Sequence, residues 1–178
     1  DHKNMEDEDQ TITFPEIHTT FTDRASNSHQ IAAGQTEVTL VDTVEYKNLV
    51  VGREYTVTGT VHVGGNAGRY KKGDVLKYAD GTPVTKTVTF TAVQENGSVD
   101  VVFTIPASLI PKEKLVAFED VRYKDVTVAV HADIEDEGQT VTPPPSGPPK
   151  TGIIILTVLG IIAGISLAGL FITRKKRK

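Results

Sequence analysis

From Phe14 to Val141 the chain alternates apolar and polar residues with a period of two. Short turns rich in glycine, asparagine and proline interrupt the alternation, and no helical period appears before the C-terminus. These observations predict an all-β fold: an immunoglobulin-like β-sandwich followed by a proline-rich spacer and a C-terminal transmembrane helix. Successive side chains on a strand point to opposite faces. Rows of threonine opposite rows of valine therefore imply two sheets, each with one face in the core and one in water.

The first strand is predicted over 17–22 (IHTTFT), with Ile17, Thr19 and Phe21 on one face and His18 and Thr20 on the other. The second, over 36–46, places Val38, Leu40, Val44 and Tyr46 on an apolar face with Asp42 in its middle. Over 53–63, Tyr55, Val57, Val61 and Val63 oppose Thr56, Thr58, Thr60 and His62. Strands over 84–93 and 98–105 follow. Over 114–123, Leu115, Ala117, Val121 and Tyr123 flank Glu119. Runs at 125–134 and 139–142 complete the set. Turns are marked at Lys47–Gly52, Gly64–Gly68, Asp80–Pro83, Glu95–Gly97 and Glu135–Gly138.

The expected organisation is a flexible acidic leader over 1–13, the sandwich over 14–142, a proline-rich spacer over 143–152, a membrane-spanning helix over 153–173 and a basic cytoplasmic tail over 174–178. The 21 uncharged residues of 153–173 would make a helix of about 31 Å, the thickness of a bilayer's hydrocarbon core. Residues 151–178 carry five of the 19 basic residues and none of the 23 acidic ones, so the remainder has a formal charge of 14 − 23 = −9. An acidic folded region argues against nucleic acid as a partner. The basic terminus should stay cytoplasmic and place the sandwich outside the cell. No cysteine is present, so any covalent staple must come from other side chains. Asp1–Gln10 is charged throughout and reads as no signal peptide; a mature form, or the C-terminal piece of something longer, is expected.

Three polar groups on otherwise apolar faces need an explanation: Thr19, Asp42 and Glu119. Burying an unpaired carboxylate is costly, so two such positions in one small domain point to a common site. Gln139 shares a face with Val141, and His131 precedes it by eight positions. Taken singly, each is bland. Thr20 differs from Thr19 only in parity. His131 shares a face with Thr127, Ala129 and Asp133 opposite three valines, the pattern of a surface histidine. His2, His18, His29 and His62 are given no role.

Four fragments carry a resemblance: Ile17-His18-Thr19-Thr20, Val41–Tyr46, Val116–Asp120, and His131-Ala132-Asp133 leading to Gln139-Thr140-Val141. In this order they resemble the Thr–Gln ester-bond domains, also called VaFE-repeat domains, of Gram-positive adhesins and pilus-like proteins. The resemblance covers Ile17 to Val141, with Phe21 where a small residue is common. It implies that Thr19 attacks the side-chain amide of Gln139, releasing ammonia and leaving an intramolecular ester, assisted by His131, Asp42 and Glu119. Imidazole exchanges protons near neutral pH and suits a base for a weak hydroxyl nucleophile. Two close buried carboxyls share one proton, and the protonated one is expected to serve the developing oxyanion; which one holds it stays open. Packing by Phe21, Tyr46 and Phe118 is expected to keep water away.

Pro149, Lys150, Thr151 and Gly152, followed by an apolar span and a basic tail, resemble the cell-wall sorting signal of Gram-positive surface proteins, with Pro148 in place of its leucine. That resemblance implies a sortase that cleaves after Thr151 and joins it to a peptidoglycan or pilin amine.

The expectation is a structural stalk domain of a surface adhesin on a Gram-positive cell wall, spanning the membrane until sorted. It makes one self-crosslink rather than acting as an enzyme, and needs no cofactor or metal. The alternative is a module that binds a host ligand through loops such as Gly64–Tyr78, and upstream domains are also expected to meet host ligands. A Lys–Asn isopeptide is disfavoured because 17–22 has no lysine and 139–142 no asparagine. A hydrolase is disfavoured because Gln139 fills the substrate's place.

Overall fold

The computed structural model describes residues 13–144. Its strands are β1 (Glu16–Asp23), β2 (Glu37–Lys47), β3 (Glu54–Val63), β4 (Thr85–Thr91), β5 (Gly97–Pro106), β6 (Leu115–Tyr123), β7 (Val126–His131) and β8 (Thr140–Val141), with a 3-10 turn at Ala107–Leu109. All eight predicted strands are present in order. One sheet runs β1-β2-β5; the other runs β4-β3-β6-β7, with β8 also paired to β6. All the pairings are antiparallel. Among the described residues no helix is long and apolar enough to cross a membrane. The leader up to residue 12, most of the spacer with Pro149, Lys150, Thr151 and Gly152, the predicted span 153–173 and the tail lie outside the described residues.

The alternation becomes a core because each sheet turns its apolar row inward. Leu40 and Val44 of β2, Val57 and Val61 of β3, Val101 and Ile105 of β5, and Val121 of β6 are fully buried. The threonine row of β3 faces out, where Thr58 and Thr60 meet the hydroxyls of Thr87 and Thr85 on β4 at 3.0 and 3.2 Å. Gly59 interrupts the inner row of β3 because Phe103 of the other sheet occupies its side-chain space. A Cβ there would lie 2.8 Å from the Phe103 ring and 3.1 Å from Val101 Cγ1.

β1 and β7 are edge strands of their sheets, and two irregularities at those edges create the site. First, the β6–β7 register slips between Val121 and Arg122. Arg122 pairs with Thr127 but Val121 pairs with Ala129, leaving Val128 as an extra residue. Such a bulge reverses which face the following residues present. Ala129 and His131 therefore turn inward, while Val130 is 60% exposed. Second, β7 and β8 are one strand interrupted. His131 pairs with Glu119 and Thr140 pairs with Val116, so the eight residues 132–139 occupy the room of two on β6. The resulting loop reaches β1, where the Phe21 amide donates to Gly138 O at 2.8 Å.

Candidate functional site

Thr19, Phe21 and Asp23 occupy the buried face of β1. Thr19 pairs with Val44 and Phe21 with Asp42, so the hydroxyl and the Asp42 carboxyl are diagonal neighbours on one sheet. Glu119 comes from β6 of the facing sheet and is 1% exposed; Thr19, Asp42 and Gln139 are fully buried. His131 lies opposite Glu119 on β7. The structure thus brings together all five residues singled out from the sequence. Thr20 points outward and is exposed.

The contacts are directional. Oγ1 of Thr19 lies 3.3 Å from Nδ1 of His131, and Nε2 of the same ring meets Oδ2 of Asp136 at 3.0 Å. A carboxylate at Nε2 holds the proton on that nitrogen and leaves the Nδ1 lone pair facing the threonine hydroxyl. The Gln139 amide is fixed at both ends. Its Nε2 donates to Glu119 Oε2 at 2.8 Å and to the His131 carbonyl at 3.1 Å. Its Oε1 accepts from the Asp133 backbone N–H at 3.2 Å. The carbonyl oxygen thus meets a backbone donor, and the nitrogen faces the acid pair.

Regarded as two acceptors, Asp42 and Glu119 are badly placed: both Asp42 oxygens and Oε1 of Glu119 are buried without a hydrogen-bond partner. Both carboxyls nevertheless lie close enough to one another, and to Thr19, to set each other's titration. A proton on one of them turns it into a donor and reconciles the two facts. Burial, reinforced by Asp42, pushes Glu119 up to about 10. Burial also raises Asp42, to about 6, where Glu119 lowers it and Asp100 raises it. Both carboxyls are raised by burial, so near neutral pH the pair holds one proton between them.

The family model described as "T-Q ester bond containing domain" matches residues 15–143. The chain belongs to this family. Its T-Q domain is similar in fold to a bacterial adhesin from Mobiluncus mulieris, described as containing intramolecular disulfide, isopeptide and ester bond cross-links, solved in two crystal forms. In the P1 form the TM-score is 0.57 at 16% identity, over 74% of this chain and 58% of the adhesin. In the P21 form it is 0.56 at 16%, over 73% and 57%. This chain thus spans less than two thirds of the adhesin's length. No curated protein matches the chain in sequence.

Sequence reasoning missed Asp136 of the T-Q domain, which carries the contact to His131 Nε2. One acid among Asp133, Glu135, Asp136 and Glu137 has no spacing that marks it. It also missed that His18, assigned no role, places its ring 5.6 Å from that of His131. Two expectations need correction. Phe118 does not pack over the site; by the alternation of β6 it faces outward and stacks on His62 at 4.2 Å. The carboxyl that meets the amide, Glu119, faces its nitrogen rather than its carbonyl oxygen.

Proposed function

We propose that the domain seals itself with an intramolecular ester between Thr19 and Gln139. Nδ1 of His131 takes the hydroxyl proton as Thr19 Oγ1 attacks Cδ of Gln139, with Asp136 steadying the imidazolium. The Asp133 N–H bonds the oxygen that becomes negative. The Cδ–Nε2 bond then breaks beside Glu119, the Thr19 proton passes back through His131, and ammonia leaves. No net proton is consumed. The observation that carries this reading is the single buried array in which hydroxyl, base and a doubly fixed amide converge. Holding reactants in one dry geometry can supply effective molarities of about 10^5–10^8 M, enough to make a poor nucleophile and a poor electrophile react.

The test is an intact mass of the recombinant protein beside Thr19→Ala. The wild type should weigh less than its sequence by one ammonia and the variant should not. A wild type at full mass overturns the reading.

The biological role we propose is that of a stalk domain of a surface adhesin anchored to a Gram-positive cell wall. On this reading a sortase acts at Thr151 and the 153–173 span holds the precursor in the membrane. Thr19 and Gln139 are 120 positions apart, and closing such a loop restricts the unfolded chain by about 5 kcal/mol in the loop-entropy picture. With no cysteine in the chain, this staple needs no oxidant. A second reading, a host-ligand module, draws support from a hollow of about 680 Å³ bordered by Tyr70, Leu109, Ile110 and Pro111, which none of the five site residues lines. Ligand binding by a protein at full mass would favour it.

A further inference from the structure

The loop 132–139 delivers three of the reacting groups: the Asp133 amide, the Asp136 carboxylate and Gln139 itself. Several of its hydrogen bonds stay inside it or pass to the adjoining Thr140. Glu135 N binds Asp133 Oδ1, Gly138 N binds Asp136 Oδ1, and Thr140 Oγ1 binds the Asp136 carbonyl. Among the described residues, the side chain that ties 132–137 to elements outside the site is Glu135. Its carboxylate receives Lys72 from the 64–84 loop at Oε1 and Lys114, just before β6, at Oε2 at 3.1 Å.

Both lysines are themselves seated. The Lys72 amide donates to Asn66 Oδ1 at 3.0 Å, and Gly64 N donates to Lys114 O at 2.8 Å. The Lys114 stem lies where a side chain at Gly64 would stand, so that glycine clears its path. The two ammonium groups hold the Glu135 carboxyl below the ordinary carboxylate range, Lys72 contributing most.

We propose that Glu135, gripped by Lys72 and Lys114, is a positioning residue that sets the rate of ester formation by holding the 132–139 loop in register over β1. The proposal rests on the ester reading. An exposed ion pair adds little to stability, but a small misplacement of reacting atoms is costly in rate. The clamp should therefore appear in kinetics rather than in melting.

The experiment follows the full chain after cell-free synthesis and samples the loss of ammonia by intact mass. Glu135→Gln should slow the loss on the order of tenfold, and Glu135→Asp, which keeps the charge, should recover part of the rate. Lys72→Met and Lys114→Met should fall between. Raising ionic strength from about 0.01 M to about 1 M shortens screening from about 30 to about 3 Å. It should slow the wild type and leave Glu135→Gln unchanged. In a Thr19→Ala background, Glu135→Gln should barely move the thermal midpoint. Equal rates in wild type and Glu135→Gln, parallel salt responses, or a rate loss matched by a fall in midpoint would each overturn the clamp alone. Absence of ammonia loss from the wild type would overturn the ester reading and the clamp with it.

Discussion

The His131 imidazole joins two residues far apart in sequence, with Thr19 Oγ1 3.3 Å from Nδ1 and Asp136 Oδ2 3.0 Å from Nε2. Thr19 stands on the edge of one sheet and His131 on the edge of the other, so this ring closes the seam between them. In the proposed reaction the ring is a base directed at one hydroxyl.

Asp136→Asn should expose that dependence. The amide can no longer hold a charged imidazolium, so crosslinking should slow by about 10²–10⁴-fold, the usual value of a positioned general base. Intact mass at fixed times after synthesis would show uncrosslinked chain persisting. Thr140→Val, which removes the hydroxyl bound to the Asp136 carbonyl, should have a far smaller effect.

Glu119 predicts a pH dependence of stability with a definite sign. In Thr19→Ala, which cannot form the ester, the native state keeps a proton on Glu119 up to about pH 10, whereas the unfolded chain releases it near the ordinary carboxyl value. This contribution to stability is therefore greatest in acid and falls as pH rises through that window. Asp42 contributes in the same direction up to about pH 6. The slope should be on the order of 1 kcal/mol per pH unit between about pH 6 and 8. Urea titrations across this range would measure it, and Glu119→Gln should flatten it. A Thr19→Ala domain that gains stability towards pH 8 would contradict the assignment.

Water exclusion should depend on Phe21, not Phe118. Phe21 is fully buried, packs edge-on against Phe103 and pairs with Asp42 across β1 and β2. Phe21→Ala should cost about 3–5 kcal/mol and speed ester hydrolysis, read as the return of the mass of one water. Phe118→Ala removes a ring from the outer face and should leave the ester as durable as in the wild type.

Gly59→Ala tests packing beneath the site. The added methyl would meet Phe103 at 2.8 Å and Val101 at 3.1 Å, and Gly59 pairs with Glu119. Overpacking of this kind costs about 1–3 kcal/mol, measurable by denaturation in the Thr19→Ala background. Gly68→Ala, where nothing lies within 4 Å, should act only through its backbone angle of +58°.

Strict alternation made part of the site readable from the sequence. Thr19, Asp42 and Glu119 each interrupt an apolar row on a regular strand, and each is buried on the expected face. His131 broke the rule because the extra residue Val128 reverses β7 before the histidine is reached; counting by twos then assigns it to water. Asp136 and the Asp133 amide belong to a loop, where no period applies and placement comes from the turn's own hydrogen bonds. The location of the shared proton depends on burial and on which carboxyl faces the amide. Both are properties of the packed sheets rather than of any one segment.

The interruption between β7 and β8 has a wider meaning. Eight residues stand where two would continue the ladder on β6, so the Asp133 amide, Asp136 and Gln139 all come from one insert in the margin of an otherwise ordinary scaffold. A threonine, two acids and the histidine are supplied by the host framework. The insert disturbs the scaffold little: one strand is interrupted at its margin, and the two layers with their rows of valines keep their pairing.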